Sequence, residues 1–215
     1  MPAAVGDQAI VPAAVLEADG LACRRGGRLL IAAVDWRLAP GDALLLHGAN
    51  GSGKSSLLRL LAGFLRPAAG RLRHGGNDVF ADLPEWRGLL HLIGYQDGLK
   101  PSLTVAENLA AVTGLLGGST ARLGAALDRF ALAELADTPA RFLSSGQRRR
   151  AGLARLVAAP RPIWLLDEPA TGLDAQNRRR LEALIDEHRR AGGIAVVASH
   201  GDVQVKSPHM LDLGH

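Results

Sequence analysis

The glycine-rich stretch G-A-N-G-S-G-K-S at residues 48–55 constrains the fold of this 215-residue chain more than any other segment. Its glycines permit a tight bend in which successive backbone N–H groups point inward, and such a loop can hold the phosphates of a nucleotide. Residues 43–46 predict a buried strand before the loop, and residues 54–61 predict a helix after it, whose N-terminus attracts anions. Strand, loop and helix in this order predict an α/β fold built around a phosphate site.

The side chains of this loop predict a nucleoside triphosphate bound with Mg²⁺. Lys54 supplies a cation for the β- and γ-phosphates, and the Ser55 hydroxyl is a hard oxygen ligand of the kind that Mg²⁺ prefers. A glycine-rich turn with an incidental lysine is the alternative, but the flanking strand and helix favour the nucleotide site. The predicted nucleotide-binding residues of the loop are Gly48, Ala49, Asn50, Gly51, Ser52, Gly53, Lys54, Ser55 and Ser56.

A second apolar run, at residues 162–166, ends in the acidic pair Asp167 and Glu168. A buried strand here delivers both carboxylates to the sheet edge where α/β proteins bind ligands. Asp167 is predicted to be a further Mg²⁺ ligand, and Glu168 to be the base that polarises the attacking water. Alone, this stretch also fits an ordinary strand end with an acidic turn. The glycine-rich loop in the same chain favours the catalytic interpretation.

Further motifs follow in a recognisable order. They are Gln96, L-S-S-G-Q at residues 143–147, and His200. With the loop and the acidic pair, they make the chain resemble the nucleotide-binding subunit of an ABC (ATP-binding cassette) protein from about Val15 to its end. The resemblance implies an α/β P-loop NTPase fold of the ABC type, in which a mostly parallel sheet core carries an antiparallel β subdomain and a helical subdomain.

The expected organisation is a flexible tail followed by a single ATP-binding domain. The tail covers residues 1–14 and the domain residues 15–215. Within the domain, the core covers about 15–96 and 160–215, and the helical signature subdomain covers about 97–159. No internal repeat or low-complexity segment is evident.

The resemblance also implies roles for single residues. In the family, the signature residues Ser144, Gly146 and Gln147 contact the nucleotide held by the P-loop of a second subunit. Gln96 joins the catalytic Mg²⁺ and water to the helical subdomain, which makes it both a catalytic residue and a metal ligand. His200 contacts the γ-phosphate, although a lone histidine outside this context is usually structural.

Capping signals predict the starts of several helices. Ser144 or Ser145 can cap the helix that contains the signature, and Ser102 or Thr104 can cap a helix over residues 105–109. An alanine- and leucine-rich helix is predicted over residues 121–132. Another helix opens at Asp174, which also resembles the family's dimer-contact loop; its residues at helical spacing on one face are Leu181, Leu184, Ile185 and His188.

The chain departs from the family pattern at two places. Ser145 stands where the family has the first signature glycine, and no Phe, Tyr or Trp precedes Trp36, where the family has an aromatic residue that stacks on adenine. The guanidinium of Arg24 or Arg25 can stack instead, although a solvated arginine pair is slightly favoured. The base preference between ATP and GTP therefore stays open.

Composition bears on partners and location. The formal net charge is +4, and the arginine runs at residues 148–150 and 178–180 lie among acidic residues on predicted helices. A solvated face or a subunit contact is favoured over nucleic acid binding, because no aromatic residues are interleaved with them. No run reaches the roughly 20 apolar residues of a spanning helix. With no basic residue before Arg24, no signal peptide is expected, and the single Cys23 cannot form an internal disulfide.

A narrower resemblance rests on residues 98–109, which follow the pattern G-x-K-x-x-L-T-x-x-E-N-L, and on L-S-S-G-Q-R-R-R at residues 143–150. Both resemble the heme-exporter ATPases of bacterial cytochrome c maturation. This implies a homodimer that hydrolyses ATP with Mg²⁺ at the cytoplasmic face of the inner membrane, bound to small multispan membrane subunits. The alternatives are a lipid, drug or lipoprotein exporter, or a soluble ATPase acting on nucleic acid or ribosomes; the latter usually carry two cassettes or long insertions.

Overall fold

The computed structural model describes residues 12–214, apart from the side chains of Arg25 and Arg28. Residues 1–11 of the expected tail lie outside this range. The described chain is packed almost from its start, since Ala13 is buried and its N–H donates to the carbonyl of Gly192 at 3.0 Å.

Two sheets organise residues 12–214. The strands are β1 (Leu16–Arg25), β2 (Arg28–Leu38), β3 (Ala43–His47), β4 (Ala69–His74), β5 (Asn77–Asp78), β6 (Leu90–Ile93), β7 (Ile163–Asp167), β8 (Ile194–Ala198) and β9 (His209–Asp212). One sheet has the order β6-β7-β8-β3-β9, and all its neighbours are parallel. The other has the antiparallel order β2-β1-β4-β5. This arrangement confirms the predicted parallel core with an antiparallel subdomain.

Six α-helices pack on and beside the sheets in the part of the chain that the structure describes. They are α1 (Lys54–Leu61), α2 (Leu83–Gly88), α3 (Val105–Leu115), α4 (Leu123–Arg129), α5 (Ser145–Ala158) and α6 (Ala175–Arg190). Short 3₁₀ turns lie at Thr120–Arg122, Ala133–Leu135 and Ala140–Phe142. No described helix is long and apolar enough to cross a membrane.

The parallel sheet has a hydrophobic core on each face. Side chains alternate along β7, so that Ile163 and Leu165 pack with the leucines of α1, whereas Trp164 and Leu166 pack with residues of α5 and α6. All five residues of β8 are buried, as expected of a strand covered on both faces. Each fully buried leucine of α1 contributes roughly 2 kcal/mol. The parallel sheet is therefore the middle of three packed layers.

The predicted helix over residues 121–132 is wrong at both ends. A 3₁₀ turn covers Thr120–Arg122, and α4 then ends at Arg129. Ala131 adopts a left-handed φ of 51°, and the N–H of Leu132 returns to the carbonyl of Leu127 at 2.8 Å. This reversal ends the helix and buries Phe130 and Leu132 completely, which a continued helix could not do.

The expected starts of the other helices agree with the structure and select between the alternatives. Thr104, not Ser102, caps α3 in a capping box with Glu107. Ser144, not Ser145, caps α5 in a box with Gln147. Asp174 caps α6, whose four residues predicted to share a face are all buried.

Register brings the ends of the parallel strands to one edge. Asp167 at the end of β7 pairs with Ala198 at the end of β8, and Leu46 of β3 pairs with the same Ala198 from the other side. The glycine-rich loop, the acidic pair and His200 follow these strands directly. Residues far apart in sequence therefore converge at the carboxyl edge of the sheet.

Candidate active site

The glycine-rich loop has a conformation that other residues would resist. Gly48 has a φ of 146°, and a Cβ added there would lie 2.6 Å from Ser52 Oγ. Gly53 has a φ of 106° at the cap of α1, and its added Cβ would press on Ile31 at 3.3 Å. The glycines thus close the loop tightly beneath the start of α1, whose free N–H groups favour an anion.

Lys54 is a nearly buried cation at this helix start, with 7% of its surface exposed. Its Nζ donates to the carbonyl of Gly48 at 2.6 Å and to that of Ala49 at 3.3 Å. Among residues 12–214, no carboxylate forms an ion pair with it. Because a buried charge is stabilised by an opposite charge, the site suits an anionic ligand such as a phosphate chain.

Glu168 follows β7 with a φ of 47°, which is unusual for a residue other than glycine. Its N–H donates to the carbonyl of Ala198 at 2.9 Å. Its Oε1 lies 3.3 Å from His200 Nε2, which in turn lies 3.3 Å from Lys54 Nζ. This oxygen is buried and accepts no hydrogen bond within the described residues, so its capacity as an acceptor is not used there.

Burial raises the pKa of Glu168, and the neighbouring Asp202 acts in the same direction. His200 and Lys54 oppose the shift, because positive charge favours the carboxylate. The raised pKa gives the Glu168 carboxylate a higher basicity than that of an exposed glutamate. Such a group suits the role of a base toward water.

These groups line one open cleft of about 620 Å³. Its lining residues are Leu30, Ala49, Asn50, Gly51, Gly53, Lys54, Ser55, Ser56, Tyr95, Asp167, Glu168, Thr171 and His200. Leu30, Tyr95 and Thr171 are not predicted from the sequence to line a site. For Tyr95, its position directly before Gln96 was the available signal. Arg24 is exposed and is not part of this lining, and the Arg25 side chain lies outside the described part.

The cleft offers oxygen donors that fit Mg²⁺. The Ser55 hydroxyl and the Asp167 carboxylate both line it. No cluster of three His, Cys, Asp or Glu within residues 12–214 could hold a metal alone. This agrees with the usual coordination of Mg²⁺, in which one or two protein ligands are combined with substrate phosphates and water.

The signature and Gln96 lie outside this cleft within a single chain. Gln96 lines a neighbouring cleft of about 600 Å³, together with Ser145 and Gly172. Ser144 is exposed at the start of α5, and its N–H donates to Gln147 Oε1 at 2.7 Å. The predicted phosphate contacts of the signature are therefore not made to the P-loop of the same chain.

Ser145 is accommodated without strain. It is exposed as the first residue of α5, where the backbone is helical, so glycine is not required. A Cβ at Gly146, in contrast, would lie 3.0 Å from the carbonyl of Gly172. Within the chain, Gly146 is therefore the position that must stay small. Ser145, where the chain departs from the family pattern, has no such restriction.

The interpretation of residues 148–150 as a solvated face or subunit contact is wrong for Arg149. This residue is 4% exposed, and its guanidinium donates to backbone carbonyls beside the acidic pair. Helical spacing was the available signal, because Leu153 and Leu156 lie four and seven residues further along the buried face of α5. A run of three arginines cannot lie on one face of a helix.

Comparison with known proteins agrees with this geometry. The profile of the family described as ABC transporter matches residues 31–171. The chain is 52% identical over 202 residues to the cytochrome c biogenesis ATP-binding export protein CcmA of Rhodospirillum rubrum, covering 94% of this chain and 87% of the relative. It is 46% identical to the protein of the same description from Cupriavidus necator, covering 86% and 83%. An ABC transporter ATP-binding protein from Pyrococcus furiosus shares the fold, with a TM-score of 0.81, 22% identity and coverage of 93% and 98%.

Proposed function

The chain belongs to the ABC transporter family, and from this membership we propose that it is the ATP-hydrolysing subunit of a heme exporter that serves cytochrome c biogenesis. The relatives described above are named as ATP-binding export proteins of that process. The observation that carries the hydrolytic role is the convergence of Lys54, His200 and Glu168 on one cleft, with 3.3 Å between successive polar atoms.

In the proposed reaction, the glycine-rich loop and Lys54 hold the triphosphate of ATP, and Glu168 polarises the water that attacks the γ-phosphorus. His200 lies between the two charges and contacts the γ-phosphate. Ser55 and Asp167, together with Gln96, would hold Mg²⁺, which would neutralise part of the phosphate charge. As the water oxygen bonds to the γ-phosphorus, the bond from that phosphorus to the bridging oxygen breaks and ADP leaves. The protein's own contribution is to place the attacking water between the base and the γ-phosphate.

A second copy of the chain completes the site in this proposal. Ser144, Gly146 and Gln147 are absent from the cleft lining of their own chain, which supports their action on the P-loop of a facing chain. ATP binding then draws two chains together and hydrolysis releases them. The motion is transmitted to small multispan membrane subunits at the cytoplasmic face of the inner membrane.

The most specific part of the proposal is that heme is the transported species. It predicts the loss of heme-containing c-type cytochromes when the chain is absent. In a strain lacking this chain, heme staining of membrane and periplasmic c-type cytochromes should disappear. Wild type should restore it, whereas Lys54→Ala should fail because it cannot bind nucleotide, and Glu168→Gln because it binds without turnover. Immunoblots of the variants control for their abundance.

Unchanged staining in the deletion strain would exclude this role and favour another exporter. Wild-type hydrolysis by Glu168→Gln in purified protein would refute its assignment as the base. Salt-dependent RNA binding by a dimer that stays away from membranes would instead favour a nucleic acid or ribosome ATPase.

A further inference from the structure

Arg149 is the most enclosed cation near the active site, and its position is unlike that of its two arginine neighbours. It lies on α5, five residues after the helix cap, and its side chain runs to the carboxyl edge of the parallel sheet. Its Nη2 donates to the carbonyl of Glu168 at 2.7 Å and to that of Asp167 at 3.1 Å. Its Nε donates to the carbonyl of Pro169 at 3.1 Å, and its Nη1 to that of Gly94 at 2.8 Å.

These four carbonyls belong to the two segments that carry the predicted catalytic groups. Asp167 ends β7, Glu168 and Pro169 begin the turn that follows it, and Gly94 lies between β6 and Gln96. One planar guanidinium therefore joins the signature helix to both segments. Lysine could not reproduce this, because a single ammonium cannot reach four acceptors spread around a planar fork.

The acceptor set argues against simple charge neutralisation. The Asp97 carboxylate oxygen Oδ1 lies 3.8 Å from Arg149 Nη1, which is beyond hydrogen-bond distance. All four short contacts of the guanidinium go to main-chain oxygens. Burial lowers the pKa of Arg149, whereas Asp97, Asp167 and Glu168 act in the opposite direction, so the side chain stays charged. A buried cation is costly, and an apolar residue would fill this space if packing were its only role.

The backbone of Glu168 is the part most in need of support. Its φ of 47° is a strained conformation for a residue with a side chain. Its N–H is fixed by the carbonyl of Ala198 at 2.9 Å, and its carbonyl by Arg149 at 2.7 Å. The two contacts on either side of the Cα fix the backbone from which the carboxylate side chain projects.

We propose that Arg149 is a positioning residue for ATP hydrolysis, which holds the backbone of Glu168 and the start of the Gln96 segment in register with the signature helix. This inference rests on the proposed function, since it takes Glu168 as the base. It also makes turnover depend on the placement of α5, because a shift of about 1 Å takes these contacts out of hydrogen-bond range. If α5 moves in the proposed transport cycle, Arg149 thereby links that movement to hydrolysis.

The test compares Arg149→Met and Arg149→Lys with Arg150→Met in the purified full-length chain. Arg150 is a matched control, since it lies on the same helix and also donates to carbonyls, those of Phe130 at 2.7 Å and Ala131 at 2.8 Å, away from the cleft. For each variant, kcat, the Kd of a non-hydrolysable ATP analogue and the amide hydrogen exchange of residues 94–98 and 167–171 are measured. Circular dichroism and gel filtration check the fold.

We expect Arg149→Met to lower kcat at least tenfold with the analogue Kd within twofold of wild type, and to speed exchange in both segments. Arg149→Lys should fall between Met and wild type, and Arg150→Met should stay within twofold in every measurement. If Arg149→Met does not fold, Arg149→Lys carries the test with at least a threefold loss of kcat.

A kcat within twofold of wild type for the folded Arg149 variants would overturn the inference. So would unchanged exchange in the two segments, or an equal loss in Arg150→Met, which would indicate general destabilisation of α5. Failure of the proposed function is a separate result, because wild type and Glu168→Gln would then hydrolyse ATP at the same rate.

Discussion

Lys54 and Glu168 carry opposite charges into one cleft, and hydrogen bonds with backbone groups hold each of them there. Lys54 is fixed by the carbonyls of its own loop, and Glu168 by the carbonyl of Ala198 and the guanidinium of Arg149. Neither charge depends on the other for its position. In the proposed reaction, a phosphate chain would meet groups that are already positioned, which would reduce the reorganisation needed for reaction.

Two glycines of the antiparallel subdomain allow a matched prediction at the residue scale. Gly70 and Gly76 have nearly equal φ values of 77° and 84°. An added Cβ at Gly70 would lie 2.1 Å from the carbonyl oxygen of Gly20, whereas at Gly76 nothing lies within 4 Å. We expect Gly76→Ala to lower the free energy of unfolding by about 1 kcal/mol through backbone strain alone.

Gly70→Ala should cost at least about 2 kcal/mol more, because the backbone of the facing strand must move. Urea denaturation of both variants measures the difference. Equal losses would mean that β1 and β4 are not this close at Gly20.

Among the elements, strands and caps were the most predictable from sequence, and helix ends the least. The apolar runs before the glycine-rich loop and before Asp167 could be recognised because strands buried on both faces are continuously apolar. The end of α4 could not, since its reversal uses Ala131 in a left-handed conformation, without the glycine that usually marks such a turn. The burial of Arg149 was not predicted, because a run of like charges usually indicates a solvent-exposed face. Its contacts also come from segments about 20 and 55 residues away in the sequence.

The packing of α6 against β7 predicts a pH-dependent stability. His188 stacks on Trp164 with a centroid distance of 3.8 Å and an angle of 7°, and burial lowers the pKa of His188 from 6.5 to about 4. Because the folded pKa is the lower one, the unfolded chain binds more protons between these values. Stability is fully present above about pH 6.5 and is lost as the pH falls toward 4.

We expect wild type to lose about 2 kcal/mol more than His188→Phe between pH 7 and pH 5, since phenylalanine keeps the ring and removes the titration. His91, whose pKa burial lowers to about 3, is present in both proteins, and His188 is the smallest of the influences on it, so its contribution largely cancels in the comparison. Urea denaturation at both pH values provides the measurement. Parallel losses in the two proteins would show that His188 is not buried in its neutral form.

For the whole molecule, the arrangement of the two clefts is the informative feature. The cleft lined by the glycine-rich loop holds the proposed triphosphate site and the proposed base, while the signature helix starts outside it with Ser144 exposed. The helix N-terminus keeps free N–H groups that favour an anion. A single chain therefore offers one half of a site in each place, which is the arrangement that a two-fold dimer can complete twice.

Complementation between two inactive variants tests this arrangement directly. Lys54→Ala removes the phosphate cation, and Ser144→Arg blocks the signature with a large side chain at an exposed position. Each variant alone should be inactive. In a mixed dimer, the intact P-loop of the Ser144→Arg chain faces the intact signature of the Lys54→Ala chain, so an equal mixture should recover about a quarter of wild-type hydrolysis. The fraction follows from half of the dimers being mixed, each with one working site of two.

Two outcomes would contradict this arrangement. Hydrolysis by Ser144→Arg alone at the wild-type rate would place the complete site within one chain. No recovery in mixtures that gel filtration shows to contain dimers would exclude the facing arrangement.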